Sequence, residues 1–105
     1  MVDIGINLSP EEIYYTISKN LQYNKEIIYS SKLVVPKALD IPDKLSFIRN
    51  TLISEINQYN IQSASLKIIE KDIKDENIIN LIKLEGVIQE LLSTSGVEIW
   101  KSVQN

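Results

Sequence analysis

The chain has 105 residues, 44% of them apolar and 24% charged, a formal net charge of −3, and neither cysteine nor histidine. Such a length and balance give one folded domain around a single core and exclude a disordered tail. Without Cys or His there is no disulfide, thiolate nucleophile, Cys-ligated zinc or imidazole base, so any chemistry rests on carboxylates, lysines, hydroxyls or an oxygen-ligated ion such as magnesium.

Charge is spread evenly along the chain. Residues 1–60 carry six basic and seven acidic side chains, and residues 61–105 carry five and seven. Arg49 is the single arginine. A phosphate-binding surface needs a basic patch, so nucleic-acid binding by this chain alone is disfavoured on electrostatic grounds. No apolar run reaches transmembrane length, and Met1-Val2-Asp3-Ile4 has no basic region leading into a signal core. The expectation is a soluble cytoplasmic protein with no membrane partner.

Residues 2–8 alternate, with apolar side chains at even positions, and read as a half-buried first strand. Gly5 in its middle predicts a neighbouring backbone that comes close. Residues 9–21 allow two readings. Ser9-Pro10-Glu11-Glu12 has a helix-start signature, and Ile13, Ile17 and Leu21 follow at a spacing of four. Ile13-Tyr14-Tyr15-Thr16-Ile17 is all β-branched or aromatic, which favours a strand paired with the first across a turn at Ser9–Glu12. Residues 26–35 read as a third strand, stopped by Pro36.

The clearest helix follows. Asp40, Pro42 and Asp43 suit a first turn, Leu45, Ile48, Leu52 and Ile56 step by three or four, and Asn60 suits a left-handed exit. Residues 63–70 form the fourth strand. Residues 77–93 form the second long helix, with Ile78, Leu81, Ile82, Ile88, Leu91 and Leu92 as its apolar stripe. Gly86 inside it costs about 1 kcal/mol relative to alanine, which calls for close packing against the sheet or the first helix. Ser95-Gly96 ends it, and residues 97–103, with Trp100, form a last strand. Tyr14, Tyr15, Tyr23 and Tyr29 are expected on the sheet surface or at an interface.

Three strands joined by short connections make an antiparallel meander. Two strand–helix crossovers then add parallel strands through right-handed connections. The expected fold class is α/β, with a mixed five-stranded sheet, two long helices and one domain over residues 1–105.

This order, with an acid closing the fourth strand, resembles the ribonuclease H-like fold and its Holliday-junction-resolvase (RuvC-like) branch. Ile4-Gly5-Ile6-Asn7 stands where the family has a Gly-hydrophobe-Asp strand end, and Ile68-Ile69-Glu70 where it has its strand-four glutamate. Leu84-Glu85-Gly86-Val87-Ile88 stands where family helices carry a small residue before a branched apolar pair. The resemblance covers nearly the whole chain and rests on these short motifs.

Family members cleave nucleic acid with two magnesium ions held by carboxylates, one activating water and the other stabilising the leaving oxygen. The resemblance implies that Glu70 is a remnant ligand and that Asn7 occupies the place of the first-strand aspartate. An amide oxygen brings no negative charge, so a two-metal site should be severely weakened. The remaining family carboxylates belong to a C-terminal helix, which residues up to Asn105 do not supply. The implied molecule is a truncated, degenerate family member.

Asp72 can pair with Glu70 to hold one cation loosely, although both acids equally suit a solvated strand end. Asp3 shares the strand face of Asn7 but lies ~13 Å away at ~3.3 Å per residue, too far to replace a ligand. Three functions follow. The first is a catalytically inactive resolvase-like binding or assembly module, self-associating as a homodimer or held by a protein partner, with no cofactor. The second is a residual magnesium-dependent nuclease acting on structured DNA or RNA through Glu70 and Asp72. The third is a small α+β protein-interaction module unrelated to nucleases.

Overall fold

The computed structural model describes residues 1–9, 11–34, 40–69 and 75–104, and for 69, 75–77 and 101–104 the backbone alone. Seven elements follow in chain order: β1 (Val2–Leu8), β2 (Glu12–Asn20), β3 (Lys25–Val34), α1 (Ile41–Tyr59), β4 (Ser63–Ile69), α2 (Asp75–Thr94) and β5 (Glu98–Gln104). The five strands form one sheet in the order β3-β2-β1-β4-β5. β1 and β2 pair antiparallel, as do β2 and β3, whereas β4 lies parallel to β1 and β5 parallel to β4. The meander and its two parallel additions are as the sequence predicts.

Residues 12–20 are a strand, so the helical reading of residues 9–21 fails. The groups that could cap a helix instead close a tight turn. The Ser9 hydroxyl donates to the Glu12 carbonyl at 2.8 Å, and the Glu12 N–H donates back to Ser9 Oγ at 3.3 Å. A hydroxyl that can satisfy N–H groups serves either structure, and pairing with β1 decides between them.

One face of the sheet is buried in three cross-strand layers. Ile4, Ile17 and Ala64 form the first, Ile6, Tyr15 and Leu66 the second, and Leu8, Ile13 and Ile68 the third. Ile48, Leu52 and Ile56 of α1 pack there with Leu81, Leu84, Ile88, Leu91 and Leu92 of α2. An ion pair between Arg49 and Glu90, at 3.3 Å, ties the two helices on their outer side. Asn60 ends α1 in the left-handed conformation (φ 53°), and its N–H donates to the Ile56 carbonyl. Gly96 (φ 73°) ends α2 the same way, with the Val97 N–H reaching back to Leu92 O at 2.9 Å.

Four details differ from expectation. Ile78 and Ile82 are 41% and 61% exposed, because the buried stripe of α2 runs through Leu81 and Leu84 instead. Gly86 is exposed, and a Cβ built there meets nothing within 4 Å, so close packing does not explain it. At Gly5 a Cβ would lie 3.5 Å from Ser65 Oγ, an ordinary contact and not the close backbone approach expected. Tyr15 is core; its ring meets that of Tyr29 on β3 at a 52° tilt with centroids 6.1 Å apart, and Tyr29 in turn stacks on Tyr59 of α1 at 6.3 Å.

Candidate functional site

The face of the sheet away from the helices carries the odd residues of β1, and Asn7 is exposed there. Strand register sets its neighbours: Tyr14 across on β2 and Lys67 across on β4. The sequence signal for Asn7 was its place in β1. The signal for its neighbours was the same two-residue alternation, once residues 12–20 are a strand and Glu12 and Tyr14 share that face.

Glu12 is the acid that the sequence reading missed. Its carboxylate accepts a 2.7 Å hydrogen bond from the Tyr14 hydroxyl and lies 3.6 Å from Lys32 Nζ. That hydrogen bond, with minor help from burial and from the Glu12 charge, holds the Tyr14 phenol above its ordinary pKa. Lys32 Nζ also sits over the Tyr14 ring, 5.9 Å from its centroid. Asn7 therefore stands beside a strand position held by lysine and next to a tyrosine hydrogen-bonded to an acid that is itself ion-paired.

Glu70 and Asp72 lie outside the described residues. Among the described residues, no three His, Cys, Asp or Glu side chains gather where they could hold a metal ion. A pair of magnesium ions needs several anionic oxygens around shared positions. Asn7, Lys67 and the paired Glu12 do not supply that donor set, so no step through magnesium is derived for them.

Asp3 stands at the far end of the same face. It accepts two hydrogen bonds from Asn20 Nδ2, at 3.0 and 3.2 Å, and pairs with Lys25 at 3.3 Å. These partners make it a structural acid of the β1–β2–β3 face, as expected of a residue too distant to serve Asn7. An open groove of about 510 Å³ runs beside it, floored by Gly5, Thr16, Ser18, Ser63 and Ser65 and flanked by Trp100. The groove thus combines small polar side chains with the exposed apolar ones of Met1, Ile27 and Trp100.

The chain matches no family model and no curated protein sequence. Its fold matches solved structures closely. RuvC of Thermus thermophilus bound to a Holliday junction substrate superposes with a TM-score of 0.85 at 9% identity, covering 99% of this chain and 66% of that one. The fowlpox virus resolvase bound to Holliday junction DNA gives 0.63 at 13% identity, over 98% and 60%. An exopolyphosphatase from Cytophaga hutchinsonii gives 0.63 at 6% identity, over 98% and 34%. The chain spans just under two thirds of the length of the RuvC structure. At these identities the likeness establishes the fold, which is ribonuclease H-like and of the RuvC-like kind.

Proposed function

We propose that this chain is a resolvase-like domain that has lost catalysis and serves as a cytoplasmic binding or assembly module, self-associating or held by a protein partner. The observation that carries this reading is the in-register pair Asn7–Lys67. Where a resolvase of this fold needs concentrated negative charge, the central strands offer an amide beside a cation. Lysine next to an aspartate-less position repels a divalent ion and stabilises none. The nearest described acid, Glu12, is committed to Tyr14 and Lys32.

The RuvC and fowlpox structures contain Holliday junctions, and this chain keeps their fold with a net charge of −3 and one arginine. A weak electrostatic hold on phosphates is expected from that charge, so a protein surface is the better partner. No helix among the described residues is long and apolar enough to cross a membrane.

A cleavage assay on four-way junction DNA with magnesium or manganese tests the reading. The wild type should leave the junction intact at enzyme excess. Cleavage that disappears in Glu70→Ala would overturn it and restore a nuclease acting through Glu70 and Asp72. In Asn7→Asp/Lys67→Gln, magnesium should raise the melting temperature more than it does in the wild type, without cleavage.

A further inference from the structure

The open groove beside Asp3 is a product of strand register. Thr16, Gly5, Ser65 and Trp100 cross the sheet in one line, from β2 through β1 and β4 to β5. The first three are small and make a low floor. Trp100 ends the line as a wall, 63% exposed. Ser18, Asp3 and Ser63 form the neighbouring line and the facing side of the groove. Its volume of about 510 Å³ falls within the roughly 300–1,000 Å³ of small-molecule sites.

Two hydroxyls on that side are buried and short of partners. Ser18 is 5% exposed and lines the groove, and among the described residues its side chain makes no hydrogen bond. Ser63 is 9% exposed, and its hydroxyl reaches only Met1 Sδ, at 3.8 Å. A thioether is a weak acceptor, so little is gained there. Buried hydroxyls are normally hydrogen-bonded, and two that are not, on one side of one groove, suit a polar ligand. Water can meet the same hydroxyls in the free protein, so net affinity has to come from covering Trp100.

Charge narrows the ligand. Among the lining residues only Asp3 and Lys25 carry charged side chains, and they pair with each other at 3.3 Å. No cation is left over for a phosphate or carboxylate, which tells against nucleotides and acidic metabolites. The Asn20 amide is likewise spent on Asp3, so the edge of a nucleobase finds no matching amide. What remains is a set of hydroxyls, an indole face and Asp3. Of the roughly four acceptor sites of that carboxylate, Asn20 and Lys25 take three.

We propose that the groove binds a neutral pyranose with equatorial hydroxyls, one ring of an oligosaccharide. Equatorial hydroxyls leave the ring C–H bonds axial, so the sugar has apolar faces and a polar rim. One face stacks on Trp100, whose electron-rich ring suits C–H bonds, and the rim meets Ser18, Ser63 and Asp3. The spacing allows it. Asp3 and Trp100 stand two strands apart across the sheet and two residues apart along it, roughly 12 Å between backbones. The groove lies at the other end of β1 from Asn7, and the sugar site is independent of the function proposed above. With one aromatic wall and few hydrogen bonds, its dissociation constant is on the order of 1 mM.

Trp100 is the chain's single tryptophan, so its fluorescence reports on the groove directly. Cellobiose titrated to about 50 mM should shift the emission along a saturable curve with that constant. Sorbitol, an open-chain polyol, should produce no saturable change. Ser18→Ala removes a hydroxyl without a bond in the fold. It should weaken cellobiose about fivefold, the worth of one hydrogen bond, without lowering the melting temperature. In Trp100→Ala, a change at an exposed position of an outer strand, saturation-transfer NMR should show cellobiose binding lost. A non-saturable response to cellobiose, an equal response to sorbitol, or tighter binding of adenosine would overturn the sugar site. Unchanged affinity in either variant would overturn it as well, and Trp100→Ala decides alone if Ser18→Ala does not fold.

Discussion

Glu55 stands on α1 near the Tyr15–Tyr29–Tyr59 cluster, and its Oε2 is closed off from solvent with no hydrogen-bond partner among the described residues. Burial raises the Tyr15 phenol above its ordinary pKa; a hydrogen bond with Ser31 offsets part of this, and the Glu55 charge and Tyr29 add to it. A carboxylate oxygen held this way keeps its desolvation cost without a compensating bond. Replacement by an apolar side chain of similar length removes the cost and keeps the packing. Glu55→Met is therefore expected to be more stable than the wild type by about 1 kcal/mol in urea unfolding. A loss of stability of that size would mean that the carboxylate makes a bond essential to the cluster. This position was not legible in the sequence, because Glu55 falls between the apolar steps Leu52 and Ile56 and reads there as a solvated helix residue.

Among elements, α2 shows how a glycine can stand in a helix without a packing role. Gly86 is exposed and has open space where a side chain would go, so it contributes only backbone freedom to the unfolded chain. Gly86→Ala should stabilise by about 0.5–1 kcal/mol, read as a shifted midpoint at constant denaturant slope. Gly96 is the opposite case, since its φ of 73° lets the Val97 N–H return to Leu92. Gly96→Ala should cost about 1 kcal/mol by the same measurement. Equal and same-signed shifts at the two sites would contradict this assignment. The sequence already set Gly96 at the helix end; at Gly86 it called for close packing, where the structure has open space. The strands were more legible. Two-residue alternation placed Ile4, Ile6 and Leu8 on one face, and β-branched and aromatic residues at 13–17 outweighed a capping signature that proved to be a turn. Of the neighbours of Asn7, Tyr14 followed from that alternation, whereas Lys67 was not legible, because no local signal sets the register between β1 and β4.

At the scale of the whole molecule, the sheet is loaded on one side. Every fully buried strand residue lies on the helix-covered face, in layers that join β1, β2 and β4. The opposite face holds Asp3, Gly5, Thr16, Ser63 and Ser65 around an open groove. Stability and any binding surface are thereby separated onto two faces of one layer of backbone. Substitutions on the two faces should then differ by several kcal/mol even at neighbouring positions. Leu66 is 0% exposed in the middle layer, beside Ile6 on the helix-covered face, and Leu66→Ala should cost about 3 kcal/mol through lost burial and the cavity left behind. Ser65, one residue earlier, touches the open groove, and Ser65→Ala should change stability by less than about 0.5 kcal/mol. Gly5→Ala, across from Ser65 in register, meets only an ordinary contact and should be neutral or slightly stabilising. Urea unfolding of the three variants checks the asymmetry. A cost at Ser65 or Gly5 approaching that at Leu66 would mean that the small-residue face is itself packed in solution.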